Sequence, residues 1–208
     1  MKQAAAFLKN EDAGPAAEFA LVLPLALLFL FGIIDVGRFM WEYNQAEKAT
    51  QMGARFAVVT EFIPSTLATT SFVSGTVTQG DPIPTTSFGG SRCMSGSCNT
   101  APTNECPAGA GAAGTDWGYA APAFANILAR IQAFKPDVTA ANLVVDYVNV
   151  GLGFAGDPNG ADVAPLITVR LCGMQFTPIT TQIFSLNTPM PDFSYSLTME
   201  DGVGIRSN

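Results

Sequence analysis

An α+β fold is predicted by three features of the sequence. An apolar run, FALVLPLALLFLFGII from Phe19 to Ile34, leads into a proline-free, helix-favouring stretch that lasts to about Phe62. Three later segments, LVVDYVNV (Leu143 to Val150), PLITVRLC (Pro165 to Cys172) and FSYSLTM (Phe193 to Met199), are rich in Val, Ile, Thr and Tyr with partial alternation, the pattern of strands. Between them lies a region of low charge, Pro64 to Gly118, that holds Cys93, Cys98 and Cys106. The expected architecture is a long N-terminal helix laid on an antiparallel sheet, with a disulfide-bearing loop region beside it.

The apolar run fixes the first element. Crossing a bilayer core of ~30 Å takes about 20 helical residues. Ala16 to Val36 reaches that length when Glu18 and Asp35 lie at the two interfaces. A cleavable secretory signal would be followed by small residues, whereas here the chain continues as DVGRFMWEY, which reads as more helix. A helix packed on the core of a small domain would keep a polar face toward solvent, and Phe19 to Ile34 has none. Lys2 and Lys9 precede the run; after it Arg38 is the nearest cation, with Lys48 and Arg55 further off. The positive-inside tendency then places the N-terminus in the cytoplasm and everything after residue 40 outside.

Past the run, Val36, Met40, Tyr43, Ala46, Met52 and Phe56 recur at three- and four-residue spacing beside Glu42, Gln45, Lys48 and Arg55. This apolar stripe is expected to dock on the exported domain, and Pro64 supplies a stop. The organisation expected is a short cytoplasmic leader (1–13), a transmembrane segment (14–40), an amphipathic continuation (41–62) and an exported globular domain (63–208).

Within that domain, GDPIPTT and GGSRCMSGSCNTAPTNECPAGAGAAG read as turns and loops with at most short edge strands. Four cysteines, Cys93, Cys98, Cys106 and Cys172, point to two disulfides in an oxidising compartment. Three connectivities are open, and the preferred one pairs Cys93 with Cys98 locally and Cys106 with Cys172 across the domain. The long link would contribute about 4 kcal/mol through loop closure. A four-cysteine zinc site is disfavoured because C-x₂-C spacing is missing, so no metal is expected. A helix is expected from about Tyr119 to Phe134, with Phe124, Ile127, Leu128 and Ile131 on one face and Pro136 as terminator.

Composition narrows the chemistry. The chain has 208 residues, no histidine and a formal charge of −7. Without His there is no Ser-His-Asp or Cys-His arrangement and no His-based metal site. After residue 60 five Lys or Arg face eleven Asp or Glu, which argues against nucleic acid as a partner. Gly109 to Gly114, GAGAAG, fits G-x-G-x-x-G but follows a cysteine-bearing loop rather than a strand, so it reads as a linker. Asp157, Asn159 and Asp162 in GDPNGAD could gather oxygens around calcium, yet the bidentate Glu of an EF-hand is missing and the segment reads as a turn. Glu200 and Asp201, adjacent at a strand end, read as solvated charge. No catalytic residue and no cofactor emerges, so the chain is not expected to be an enzyme.

The segment AGPAAEFALVLPLALLFLFGIIDVGRFMWEYNQAEKATQMGARFA carries a resemblance. Glu18, Pro24, Gly32, Asp35, Gly37 and Arg38 fall in the order seen in TadE-like proteins (the TadE/TadG family): Glu-Phe-Ala-Leu-Val-Leu-Pro, a leucine-rich run, then Gly-Ile-Ile-acidic-x-Gly-Arg. The resemblance covers about 45 residues, the rest of the chain matching only loosely. It implies a minor pilin or pseudopilin of the tight-adherence (Flp-type, type IV) pilus system. The chain would be a single-pass protein of a bacterial inner membrane, its C-terminal domain periplasmic, extracellular or in the pilus. Its partners would be other pilins or pseudopilins, the pilus assembly machinery, membrane lipid and a prepilin peptidase.

The resemblance also implies an assembly role for Glu18, as the partner of a neighbouring subunit's freed amine. The bland alternative is a carboxylate that marks the interface and favours the helix N-terminus through the dipole. Processing in such families follows a glycine and leaves Glu fifth. Cutting after Gly14 would leave Glu18 fourth behind Pro15, whereas cutting between Ala13 and Gly14 restores it to fifth. Relatives of the TadG sort keep their leader. A membrane-tethered binding module outside any filament is the alternative function.

Overall fold

The computed structural model describes residues 14–103, 105–106, 113–158, 160–182 and 187–199. The leader with Lys2, Lys9 and Ala13, most of the GAGAAG run, Asn159, Glu200 and Asp201 lie outside them. The described chain is α+β, and it divides into two compact units: the helix up to Glu42 with Phe176–Thr188, and Tyr43–Gln175 with the C-terminal strand.

Helix α1 runs unbroken over Gly14–Ala57 and continues through Pro24. From residue 19 to 34 nearly every side chain is exposed all round the helix, with Leu21 at 80% and Phe29 at 71%. The helix ends at Ala57, short of the expected Phe62. Val58, Val59 and Thr60 form a β-branched run, Val59 N–H turns to Phe56 O at 3.3 Å, and Thr60 Oγ1 donates to the same carbonyl at 2.8 Å.

In the larger unit five strands form one antiparallel sheet: β1 (Gly90–Met94), β2 (Ser97–Thr100), β3 (Leu143–Val148), β4 (Leu166–Leu171) and β7 (Phe193–Thr198), in the order β2-β1-β3-β4-β7. The three expected strands are there, two residues shorter for β3 and β4 and one for β7. The cysteine region departs from expectation. β1 is an inner strand, paired with β3 from Gly90↔Val148 to Cys93↔Val145. Ser95 and Gly96 turn it back into β2, with Gly96 at φ +90°, a conformation that glycine adopts without strain.

The two sheet faces differ. Leu143, Val145 and Tyr147 of β3 and Ile167, Val169 and Leu171 of β4 form a fully buried apolar face. Against it lie Ile131 of helix α2 (Ala121–Gln132) and Gly53 of α1. α2 buries Ala123, Phe124, Ile127 and Ile131, while Leu128 is only half-buried.

The seam of α1 keeps Ala46 of the stripe read from the sequence and otherwise differs from it. Val36 and Met40 are exposed, and Tyr43, Met52 and Phe56 are half-buried. The buried positions are Ala46, Ala49, Thr50, Gly53, Ala54 and Ala57, a strict three-four repeat of small residues. Small side chains let the helix backbone approach the layer beneath it. A Cβ built on Gly53 would stand 2.7 Å from Ile131 Cγ1, inside van der Waals contact.

Residues 58–89 contain no helix or long strand, yet they carry a core. Ile63, Leu67, Phe72, Val77, Ile83 and Phe88 are buried, and the Phe88 ring meets Trp117 edge-on at 5.3 Å. Between β4 and β7 the chain makes an excursion through β5 (Gln175–Phe176), the one-turn helix α3 (Ile179–Gln182) and β6 (Thr188–Pro189), β5 and β6 forming a two-stranded ribbon.

Candidate functional site

Six residues carried the resemblance, and all lie on α1. Glu18 is exposed, one turn inside the N-terminal end of the described helix, and its carboxylate has no partner among the described residues. Gly14 is exposed too. Pro24 and Gly32 fall within the apolar stretch, where Gly32 leaves a shallow apolar depression lined by Leu28, Phe29, Ile33 and Val36.

The Asp35-x-Gly37-Arg38 group is the part that the fold uses most. Asp35 is only 7% exposed. Its Oδ1 accepts Ile179 N–H at 2.7 Å, and its Oδ2 accepts Thr180 N–H at 2.9 Å and Thr180 Oγ1–H at 2.8 Å. These amides open α3, where the first turn of a helix has no internal acceptors, so Asp35 caps α3 from another element. Arg38 completes the clamp. Its Nη1 lies 3.3 Å from Asp35 Oδ1 and donates to Thr177 O at 3.5 Å, while its guanidinium lies 5.4 Å over the Phe176 ring. Nη2 of Arg38 reaches Glu42 at 4.0 Å, and Phe39 meets Phe176 edge-on at 5.4 Å.

Sequence reasoning placed Asp35 at a membrane interface and missed what it holds. Pro178, just before α3, is a helix-start signal, but a cap supplied from 144 residues away leaves no local trace.

A second polar cluster was also missed. Arg92 on β1 is 1% exposed and forks onto Asp146 of β3, Nε to Oδ1 at 2.6 Å and Nη2 to Oδ2 at 2.8 Å. Arg170 Nε on β4 adds a third bond to Asp146 Oδ2 at 2.9 Å. The rest of the Arg92 fork holds the next loop, donating to Thr103 Oγ1, Thr103 O and Glu105 O at 2.7, 2.6 and 3.0 Å. That loop delivers Cys106. Both expected disulfides are present, Cys93–Cys98 and Cys106–Cys172. Cys106 and Cys172 come close to Asp192, but both sulfurs are already bonded to each other and offer no thiolate to a metal.

Of the candidate calcium residues, Asp162 serves the backbone. Asp162, 5% exposed, accepts Phe72 N–H at 2.7 Å and Asp157 N–H at 3.1 Å, one on each oxygen, tying two loops together. A polar cleft of about 270 Å³ opens beside it, lined by residues 68–71, Gly156, Asp157, Gly160 and Asp162. Elsewhere Asp81 accepts Thr78 Oγ1–H and Thr78 N–H, which hold its carboxyl below the usual range.

Residues 16–55 match the family model described as TadE-like protein. The matched segment contains Glu18, Pro24, Gly32, Asp35, Gly37 and Arg38, so the resemblance is shown over this stretch of α1. No curated protein matches the chain, and no solved structure does.

Proposed function

We propose, taking the TadE-like segment of α1 as the premise, that this chain is a membrane-anchored, pilin-like structural component of a TadE-type pilus assembly or secretion apparatus. The observation that carries the reading is the match at 16–55 on a helix whose apolar side chains from 19 to 34 stand exposed. Such a surface needs lipid or other apolar helices around it. The single span would lie in a bacterial inner membrane, with the N-terminus cytoplasmic and the disulfide-bonded domain outside. Other pilins or pseudopilins and the assembly machinery would be its partners. No enzymatic role is proposed.

Glu18 is the residue assigned to assembly. A carboxylate in the apolar part of a bilayer costs up to about 3 kcal/mol on translocon scales, so a partner charge on a neighbouring subunit stabilises it there. The leader is assigned a cut between Ala13 and Gly14, which would free the Gly14 amine as that partner.

Glu18→Gln tests the assignment. Insertion and folding should be unchanged, while cross-linking to neighbouring pilins in membranes falls. Sequencing the mature N-terminus of the membrane-purified protein is the companion measurement. Wild-type cross-linking in Glu18→Gln would remove Glu18 from assembly, and an intact Met1 with no cross-link to pilins even in the unmutated chain would instead make it a tethered binding module that stays out of filaments.

A further inference from the structure

The excursion through α3 is held to α1 at one level. Ile179 and Thr180 bind Asp35, Thr177 O accepts from Arg38, and Phe176 lies under Arg38 and against Phe39. Asp35 follows directly on the apolar run that ends at Ile34. Because an α-helix rises 1.5 Å per residue, every one of these contacts lies within about one and a half turns, ~8 Å along the axis, of the last residue of the run. Phe176–Thr188 accordingly belongs to the same compact unit as the helix up to Glu42.

Its chemistry suits that depth. From Phe176 to Thr188 the sequence contains no Asp, Glu, Lys or Arg, in a chain whose net charge is −7. Ile179 is 37% exposed although it opens α3, and Trp41 and Met40, on the same part of α1, are 67% and 55% exposed. Uncharged hydroxyl and amide groups with an aromatic and aliphatic rim are what the headgroup zone of a bilayer accommodates. The Asp35 carboxylate at this level is buried, both its oxygens being taken up by the cap.

We propose that Phe176–Gln182 is a second membrane contact: a lipid-facing element, clamped to the span by Asp35 and Arg38, that rests in the interfacial layer of a phospholipid bilayer with Ile179 directed to the acyl-chain boundary. The inference rests on the reading of α1 as a membrane span. The Asp35-x-Gly37-Arg38 group would then position this element at the bilayer surface, beyond simply ending the apolar run.

The test uses the full chain in phosphatidylcholine–phosphatidylglycerol vesicles doped with a phospholipid carrying a diazirine near its ester carbonyls. Adducts are mapped by mass spectrometry after photolysis. Adducts are expected on the apolar run of α1 and on the peptide covering Phe176–Gln182, and Asp35→Asn should lower the second set at least threefold while leaving the first. Adducts on the run but none on Phe176–Gln182 would overturn the inference and leave the span intact. No adducts on either would overturn the span reading itself. An Ile179 photoprobe that couples to a second copy of the chain in place of lipid would give the surface to protein and also overturn the inference. Adducts on Phe176–Gln182 that persist in Asp35→Asn would remove Asp35 as the group that holds it there.

Discussion

The carboxylate of Asp35 accepts the backbone amide of Ile179 at 2.7 Å, joining the end of the apolar run to a helix that begins 144 residues later. Asp35→Ala leaves the amides of Ile179 and Thr180 without this acceptor. Loss of a cap costs about 1–2 kcal/mol, and hydrogen exchange at these two amides should accelerate roughly tenfold or more. Asp35→Asn, which keeps one neutral acceptor, should fall between. Unchanged exchange in Asp35→Ala would contradict the cap.

The seam of small residues makes Gly53 the most sensitive position on the lower half of α1. Its absent Cβ would lie 2.7 Å from Cγ1 of Ile131, which is fully buried. Overpacking costs about 1–3 kcal/mol, and helix propensity returns about 1 kcal/mol for alanine. Gly53→Ala should therefore be close to neutral or mildly destabilising, and Gly53→Leu should lower the urea midpoint markedly. A Leu variant as stable as wild type would show that the seam is looser than its geometry.

Much of the architecture was legible because it is written in local periods. The apolar run, the three strands of the C-terminal half and α2 all follow from runs or alternation within ten or twenty residues. Beyond Ala46 the seam was misread because size was weighed above spacing: Ala49, Thr50, Gly53, Ala54 and Ala57 continue its repeat more strictly than Met40, Tyr43, Met52 and Phe56. β1 reads in the sequence as loop or at most a short edge strand, because GSRCM has no alternation, its middle residue being a buried arginine. The sign that could have placed it was Asp146, a lone acid inside LVVDYV, which needs a cation from a neighbouring strand. Asp35 holding α3 had no such sign, because neither partner's local sequence refers to the other.

Asp146 is the acceptor for both Arg92 and Arg170 in the interior of the sheet. Removing one member of a buried ion cluster costs about 3–5 kcal/mol, because the remaining charges stay desolvated. Asp146→Ala should therefore destabilise the domain by that order in chemical denaturation and loosen Thr103 and Glu105, which Arg92 holds. A change under about 1 kcal/mol would mean that Arg92 finds equal compensation elsewhere.

Tyr147 gives an alkaline limit. Burial pushes its hydroxyl well above the ordinary tyrosine value near 10, while the Ile63 amide, donating to it at 3.2 Å, pulls modestly the other way. The fold thus holds the proton more tightly than the unfolded chain does. This contribution is fully present below pH ~10 and is lost as pH rises from there through the raised value. Tyr147→Phe should be about 1 kcal/mol less stable at pH 7, where the buried Ile63 amide loses its acceptor. It should also lose less stability than wild type between pH 10 and 11. Equal alkaline slopes in urea titrations would exclude Tyr147 as the titrating group.

The two disulfides differ in how long each must wait for its partner. Cys93 and Cys98 are 5 residues apart at the ends of a tight turn, whereas Cys106 and Cys172 are 66 apart. On a chain that emerges N-terminus first, Cys106 appears soon after the other two and stands unpaired until β4 has followed it. The Cys93–Cys98 loop is the shortest that any two of the four cysteines can close, so it carries the smallest entropic penalty. Once that pair is formed, one thiol is left for one late partner, and of the three connectivities that four cysteines allow only the observed one remains.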